Sequence, residues 1–269
     1  MANLGLKERY DFQQWIIKDL KDKNGYIQRD NAQYNPRLAM DEELLWDFLM
    51  ETQEETMEYL LKKLSKETII TLINKEIVKG GFLFALKEGV FIENKQLRLL
   101  YRKPATSFNE KAVQQYKANR LSVIEEVVYE EGGRIDLVIF INGLALFAIE
   151  LKFNPSGQSV QDAIKQLKGR NPNNRLFRFE QGVLASFAVD TMEIYMTTQL
   201  KGQETYFLPF NMGKGEGIDM GSGNPHNPNG VDTEYLWLDV LTKDSILQLI
   251  ESFIFFEIDK NNPKKKTLI

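Results

Sequence analysis

The chain has 269 residues, 43% of them apolar and 27% charged, with a net charge of −4; that is enough to bury a substantial core in one large domain or two small ones. It contains no cysteine, which excludes disulfides and thiolate metal sites, and its single histidine, His226, excludes any centre built on two or three imidazoles. A bound metal must therefore be held mainly by oxygen. No apolar run is long enough to span a bilayer and the start MANLGLKERYDF is too polar for an export signal, so the expectation is a cytoplasmic protein without membrane contact.

Residues 7 to 21 read as a helix, with Phe12, Trp15, Ile16 and Leu20 at helical spacing and Asn24-Gly25 closing it. Two further helices follow, Asp41 to Gln53 and Thr56 to Leu64. Their region carries Asp41, Glu42, Glu43, Asp47, Glu51, Glu54, Glu55 and Glu58 with no basic residue between them. Such a surface repels DNA; it reads as a solvated face, with a partner-binding surface as the other account. Lys66 to Lys79 is a fourth helix. From residue 121 the period becomes extended: LSVIEEVVY, RIDLVIFI and LALFAIEL, separated by Gly132-Gly133 and Asn142-Gly143, form a three-stranded meander. A helix over 158 to 169 has Val160, Ile164 and Leu167 inward, and extended runs follow at 183 to 189, 193 to 198 and 205 to 209. Residues 211 to 230 are a loop rich in Gly, Pro and Asn; its glycines Gly213, Gly215, Gly217, Gly221 and Gly223 lack the strand-to-helix setting of a dinucleotide site, and His226 within it reads as a loop or partner contact. Helices over 232 to 241 and 243 to 257 precede the polar tail Asn261 to Lys266. The expected class is α/β (α+β), a mixed central sheet flanked by helices. One domain spans 1–260, divided into a helical N-terminal region over 1–120, a sheet over 121–210 and a C-terminal loop with helices over 211–258, and residues 259–269 begin a linker.

The strands 134 to 141 and 144 to 152 are apolar on both faces, yet they carry Asp136, Glu150 and Lys152. Buried ions cost several kcal/mol each unless they are paired or bound to metal. Register decides whether the three meet. A strict two-residue turn at Asn142-Gly143 pairs Ile141 with Leu144 and leaves Asp136 sharing a face with Ile149 rather than Glu150. A three-residue loop, Ile141 to Gly143, with Gly143 left-handed in a bulge, sets Asp136 opposite Ala148 and brings Asp136, Glu150 and Lys152 to one face. The carboxylates would then converge on Mg²⁺, admitted by the small Ala148, with the Leu151 carbonyl as a further ligand. Such an ion polarises a phosphate and activates water. Lys152, about 7 Å along the same face, could orient that water or stabilise the developing charge. The pattern alone leaves open a second reading, a buried Asp or Glu with Lys ion pair that only fixes the sheet.

Asp136 followed by Glu150-Leu151-Lys152 on adjacent strands, with a helix after them, resembles the PD-(D/E)XK nuclease superfamily. More narrowly, RIDLVIFINGLALFAIELK looks like the N-terminal nuclease domain of the R (restriction and motor) subunit of type I restriction-modification enzymes. The segments NGYIQRDNAQY, FAVDTMEIYMTTQLKGQETYFLPFNMG and GNPHNPNG extend the likeness over nearly the whole chain. The resemblance implies a restriction-endonuclease-like core, Asp136 and Glu150 as metal ligands, Lys152 as the catalytic lysine and Mg²⁺ as cofactor, with Mn²⁺ a possible substitute. It also suggests an acidic residue on the first helix. Glu8 fits the inward stripe, while a first-turn glutamate favoured by the helix dipole is the other reading. Of the Gln-x-x-x-Tyr motif on the helix after the ExK strand, Gln166 fits and Arg170 stands where the tyrosine would be; an arginine there could still reach a phosphate. No G-x-x-x-x-G-K-[ST] phosphate loop is present, so ATP belongs to the motor domains of a full-length subunit, not to this chain.

Between residues 152 and 178, Lys152, Lys165, Lys168, Arg170, Arg175 and Arg178 stand against Asp162 alone, a local balance of +5 in an acidic protein. Lys165, Lys168, Arg170 and Arg175 are the expected contacts to double-stranded DNA. They would bind backbone without reading sequence, as suits a subunit whose methylase (M) and specificity (S) partners choose the site. Three functions are therefore weighed: the endonuclease module of such an R subunit, a stand-alone repair or junction nuclease, and a non-catalytic domain that docks DNA or partners.

Overall fold

The computed structural model of the chain describes residues 9–214, 222–258 and 266–268. Its elements are α1 (Arg9–Asn24), β1 (Ile27–Arg29), β2 (Tyr34–Asn35), β3 (Met40–Asp41), α2 (Glu42–Thr52), α3 (Glu54–Leu61), α4 (Lys66–Gly80), α5 (Phe82–Glu88), β4 (Val90–Ile92), β5 (Lys95–Leu97), α6 (Glu110–Lys117), β6 (Leu121–Glu130), β7 (Gly133–Ile141), β8 (Leu144–Leu151), α7 (Val160–Lys168), β9 (Ala185–Val189), β10 (Ile194–Thr197), β11 (Leu208–Pro209), α8 (Lys243–Gln248), β12 (Phe256–Ile258) and β13 (Lys266–Leu268). The class is the mixed α/β one expected from the alternation of periods. The main sheet runs β1-β6-β7-β8-β9-β10-β11: β6, β7 and β8 are the antiparallel meander, and β1 on β6 and β9 on β8 are parallel additions. A parallel neighbour needs a crossover, and α7 supplies it between β8 and β9.

The sheet separates two apolar layers. One face packs α1, α2, α4 and α5 around Phe12, Ile16, Leu20, Phe48 and Ile73; the other packs α7 through Val160, Ala163, Ile164 and Leu167 against Ala148 and Ala188. Those four α7 residues recur at helical spacing, and the two small strand residues let the helix lie close to the sheet. Ser159 opens the helix, its N–H donating to Asp162 Oδ2 at 2.9 Å.

The hairpin β7–β8 closes differently from the expectation. Asn142 and Gly143 both have positive φ, 49° and 80°, and Ile141 faces Leu144, so the connection is the two-residue turn that Asn-Gly favours, not a three-residue loop. The register then slips: Phe140 faces Ala145, but Ile139 faces Phe147, leaving Leu146 as an extra residue in β8. Leu146 and Phe147 consequently face the same layer. Beyond this bulge Val138, not Asp136, faces Ala148 and Leu137 faces Ile149, so the next pair in register is Asp136 with Glu150. The bulge has a local cause. Leu144 pairs with Met40 of β3, whereas from Phe147 onward β8 pairs with β9, and the Leu146 carbonyl accepts the Leu184 N–H at the changeover.

Other expectations shift as well. The acidic helices are not simply a solvated face: Asp41 is fully buried, accepting the Leu44 N–H at 3.1 Å and Arg29 Nε at 2.7 Å, while Glu43 pairs with Arg29 and Glu51 with Arg120. The segment 82–117, where the sequence pattern predicts no element, holds α5, the β4–β5 hairpin and α6. The expected helix 243 to 257 is α8 continued by a wide helical turn, Leu249–Phe253, before the chain extends into β12. Only Leu208–Pro209 of the run 205 to 209 pairs as strand. In the supposed linker, β13 pairs with β12 and buries Leu268.

A side chain at Gly143 would meet the Asp41 carbonyl oxygen at 2.3 Å and the Leu45 nitrogen at 2.7 Å, while one at Gly132, also at positive φ, meets nothing within 4 Å. Gly143→Ala is therefore expected to lower unfolding free energy by roughly 2–4 kcal/mol and Gly132→Ala by about 1 kcal/mol. Denaturant titration compares them, and equal costs would contradict the close approach at the turn.

Candidate active site

Asp136 and Glu150 lie side by side on the sheet face that α7 covers, 4% and 0% exposed. Asp136 Oδ2 accepts the Leu151 N–H at 2.7 Å, so the carboxylate is tied to the neighbouring strand's backbone. Glu150 is held by two cations: Lys152 Nζ lies 3.1 Å from its Oε1 and Arg170 Nη2 lies 3.0 Å from its Oε2. Lys152 is itself only 4% exposed. Its backbone N–H extends the β8–β9 pairing to the Val189 carbonyl at 2.8 Å, and its ammonium also donates to the Leu151 carbonyl at 3.1 Å and to Gln166 Oε1 of α7 at 2.8 Å. A cleft of about 400 Å³ opens over this group, lined by Val128, Gly132, Gly133, Arg134, Asp136, Gln166 and Arg170.

The electrostatics follow from the burial. Glu150 is pushed up to about 7, first by loss of water and next by the neighbouring Asp136 carboxylate, against the opposing pull of Lys152 and Arg170. A hard cation set between the two carboxylates would relieve that repulsion, and the donors are oxygen, so the residues present fit Mg²⁺ or Mn²⁺. Among the described residues no group of three or more carboxylates and imidazoles gathers to hold a metal, so the protein's ionic share is the Asp136 and Glu150 pair.

Of the residues singled out in the sequence, Asp136, Glu150, Leu151, Lys152, Gln166 and Arg170 come together. Glu8 lies outside the described residues. Lys165 is exposed and Lys168 half-buried on α7 beside the cleft. Arg175 is turned inward, contrary to its reading as a phosphate contact: its Nη2 donates to Asn74 Oδ1 at 2.9 Å, another donor takes the Gln181 carbonyl, and burial lowers its guanidinium to about 10. His226 bonds Asp232 at 3.2 Å and is not among the residues that line the cleft.

Two features had no sequence reading. Tyr129 of β6 accepts Arg170 Nη1 at its hydroxyl, 3.0 Å away. Glu126, also on β6, has φ of 50°, a conformation rare for a non-glycine residue in a strand. Its side chain pairs with Arg134 at 2.6 Å, and Asn31 holds the local backbone, donating to the Glu125 and Glu126 carbonyls and accepting the Val128 N–H. Asn31 belongs to the NGYIQRDNAQY segment, which thus finishes the free edge of β6 where β1 ends.

Comparison with protein families now decides the relationship. The family model described as Type I restriction enzyme R protein N terminus matches residues 6–205. The chain belongs to that family. No curated protein matches it. The R protein N-terminus match contains every residue of the buried group, from Tyr129 to Arg170, and ends before the loop that carries His226. No helix among the described residues is long and apolar enough to cross a membrane.

Two outcomes follow from this geometry. The folded chain keeps the Glu150 proton up to about pH 7, whereas the unfolded chain releases it near 4.5, so the folded state carries the extra proton between those values. Stability should therefore fall as pH rises through that window, and Glu150→Gln, neutral throughout, should flatten the slope in metal-free unfolding curves. An unchanged slope would assign the proton elsewhere. Arg175→Ala leaves its buried acceptors unmet and is expected to cost about 1–3 kcal/mol in the same measurement; a loss within a few tenths would mean that the inward arginine does not brace the fold.

Proposed function

We propose that this chain is the Mg²⁺-dependent endonuclease module of a type I restriction enzyme R subunit, hydrolysing phosphodiester bonds of double-stranded DNA without reading sequence itself. The observation that carries the reading is the meeting of Asp136, Glu150 and Lys152 on one sheet face, next to an open cleft that Asp136, Gln166 and Arg170 line, in a chain of the R protein N-terminus family. Asp136 and Glu150, with the Leu151 carbonyl, would hold Mg²⁺ or Mn²⁺. When bound, such an ion polarises the scissile phosphate and makes a coordinated water acidic.

The chain's own residues do the rest. Lys152, fixed by Gln166 and by Glu150, presents an ammonium that no rotamer search delays, suited to orient the attacking water or to stabilise charge growing on the phosphate oxygens. Arg170 lines the cleft and offers the planar fork that phosphate prefers. Lys165 and Lys168 on the adjacent helix supply sequence-blind attraction for the backbone. Site choice falls to M and S subunits, and ATP-driven movement to motor domains of the full R subunit; the cell's cytoplasm, where foreign DNA arrives, is the expected place of action.

A second reading, a domain that docks DNA or partners on the same fold, is favoured by one feature: both Glu150 oxygens already have cationic partners. Metal titration separates the two. Asp136→Asn is expected to abolish calorimetric Mn²⁺ binding and plasmid cleavage by the assembled restriction complex. Lys152→Ala should keep Mn²⁺ binding within about 3-fold yet lose cleavage by roughly 100-fold or more. Cutting retained by Asp136→Asn would sink the nuclease assignment, and absence of Mn²⁺ binding by the wild-type chain would favour docking.

A further inference from the structure

We infer that Tyr129, on the strand next to the carboxylate hairpin, is a positioning residue of this centre: it holds the Arg170 guanidinium across Glu150. The inference rests on the nuclease reading and adds a residue to it. Arg170 follows the end of α7 on a long side chain that, left to itself, samples many rotamers. Here it is anchored at both ends of its fork, with Nη2 on Glu150 Oε2 at 3.0 Å and Nη1 on the Tyr129 hydroxyl at 3.0 Å. Its Cζ also lies 5.6 Å from the centroid of the Tyr129 ring, within the range of cation–π attraction.

The tyrosine is fixed in turn. It is 3% exposed, and its ring meets Phe177 edge-on at 5.0 Å and 83°. On another side the ring lies against the backbone of Gly133, where a Cβ would come within 2.8 Å of two ring atoms. Gly133 at the foot of β7 thus leaves room for the ring, the ring and hydroxyl hold the arginine, and the arginine holds the glutamate. The Arg170 Nε is buried with no hydrogen-bond partner among the described residues, while the side chain lines the cleft together with Asp136 and Gln166.

Tyr129→Phe removes the hydroxyl and keeps the ring, so it tests the hold without opening a cavity. In the assembled complex it should lower kcat for plasmid cleavage about 10-fold with KM for DNA unchanged, since the remaining backbone contacts are untouched. Its melting temperature should match the wild type, and in an Arg170→Ala background it should cause no further loss. Gly133→Ala, whose Cβ would meet Glu130 Cγ at 2.5 Å as well as the ring at 2.8 Å, retains the hydroxyl but crowds the ring and should also lower kcat. Independently of activity, the Arg170 Nη1 protons of the ¹⁵N-labelled chain should exchange slowly in the wild type and markedly faster in Tyr129→Phe, where only the Nη2 end is still held by Glu150. The proposal is overturned if those protons exchange freely in the wild type, if kcat is unaltered by Tyr129→Phe, or if its loss persists on top of Arg170→Ala. Cleavage retained by Asp136→Asn strikes the nuclease reading instead, and the exchange data still decide whether Tyr129 holds Arg170.

Discussion

Two carboxylates and two cations share a space from which water is nearly excluded, and the architecture around them is arranged to make that tolerable. Removing ions from water costs several kcal/mol for each, and attraction between partners repays it only where hydrogen bonds satisfy what remains. Glu150 meets that condition with one cation on each oxygen, Lys152 with three acceptors and Asp136 with a backbone amide. The charges come from β7, from the end of β8 and from just beyond α7; Glu150 and Lys152 are neighbours in the chain, but the hold of Arg170 on Glu150 and of the Leu151 amide on Asp136 forms only when the sheet and its crossover helix have come together. The compact apolar contact of α7 through Ala163 and Leu167 with Ala148 and Ala188 is what sets that distance.

The long elements of this fold were legible from periodicity, and the meander β6–β7–β8 with its crossover helix followed from alternation, glycine pairs and one amphipathic stripe. Strands of two or three residues, such as β1 to β3, carry too few positions to show a period and were not. The trio was legible too, because charged residues in doubly apolar strands demand a reason. That the three share a face follows from their charge, but the device that puts them there is not the turn: the Asn-Gly pair makes the tight turn its residue types favour, and the extra residue comes downstream at Leu146, where β8 exchanges one neighbour for another. No local signal in LALF announces that exchange, since it depends on β3, more than a hundred residues earlier. Arg175 misled for a related reason. A run of basic residues reveals charge but not direction, and this one points at Asn74 of α4.

The described part of the N-terminal region braces the sheet at two points. Asp41 caps α2, holds Arg29 and, through its own backbone N–H, clasps the Gly143 carbonyl at 2.7 Å, so the hairpin turn is gripped from outside the hairpin. Asn31 supplies the hydrogen bonds that a longer β1 would have given to β6, at the point where Glu126 bends the strand. Tyr129 lies three residues beyond that bend. A departure from regular strand geometry therefore stands between the edge of the sheet and the group of charges, stabilised by a side chain from a segment that touches none of them.

The bulge at Leu146 has a consequence for how such a chain can change by insertion and deletion. In a regular hairpin closed by two residues, partners that face one another are always an odd number of positions apart. Asp136 and Glu150 are separated by an even number, from 136 to 150, and only the one supernumerary residue reconciles that spacing with the turn. Loss of Leu146 itself would restore a regular hairpin in which Asp136 and Glu150 still face one another, whereas loss of one residue elsewhere between them, with the bulge kept, would turn one carboxylate into the opposite apolar layer. What must be kept together is the parity of that separation and the presence of the bulge: an even separation needs the extra residue and an odd one needs a regular hairpin, so the count of residues between Asp136 and Glu150 reports whether the strand is bulged.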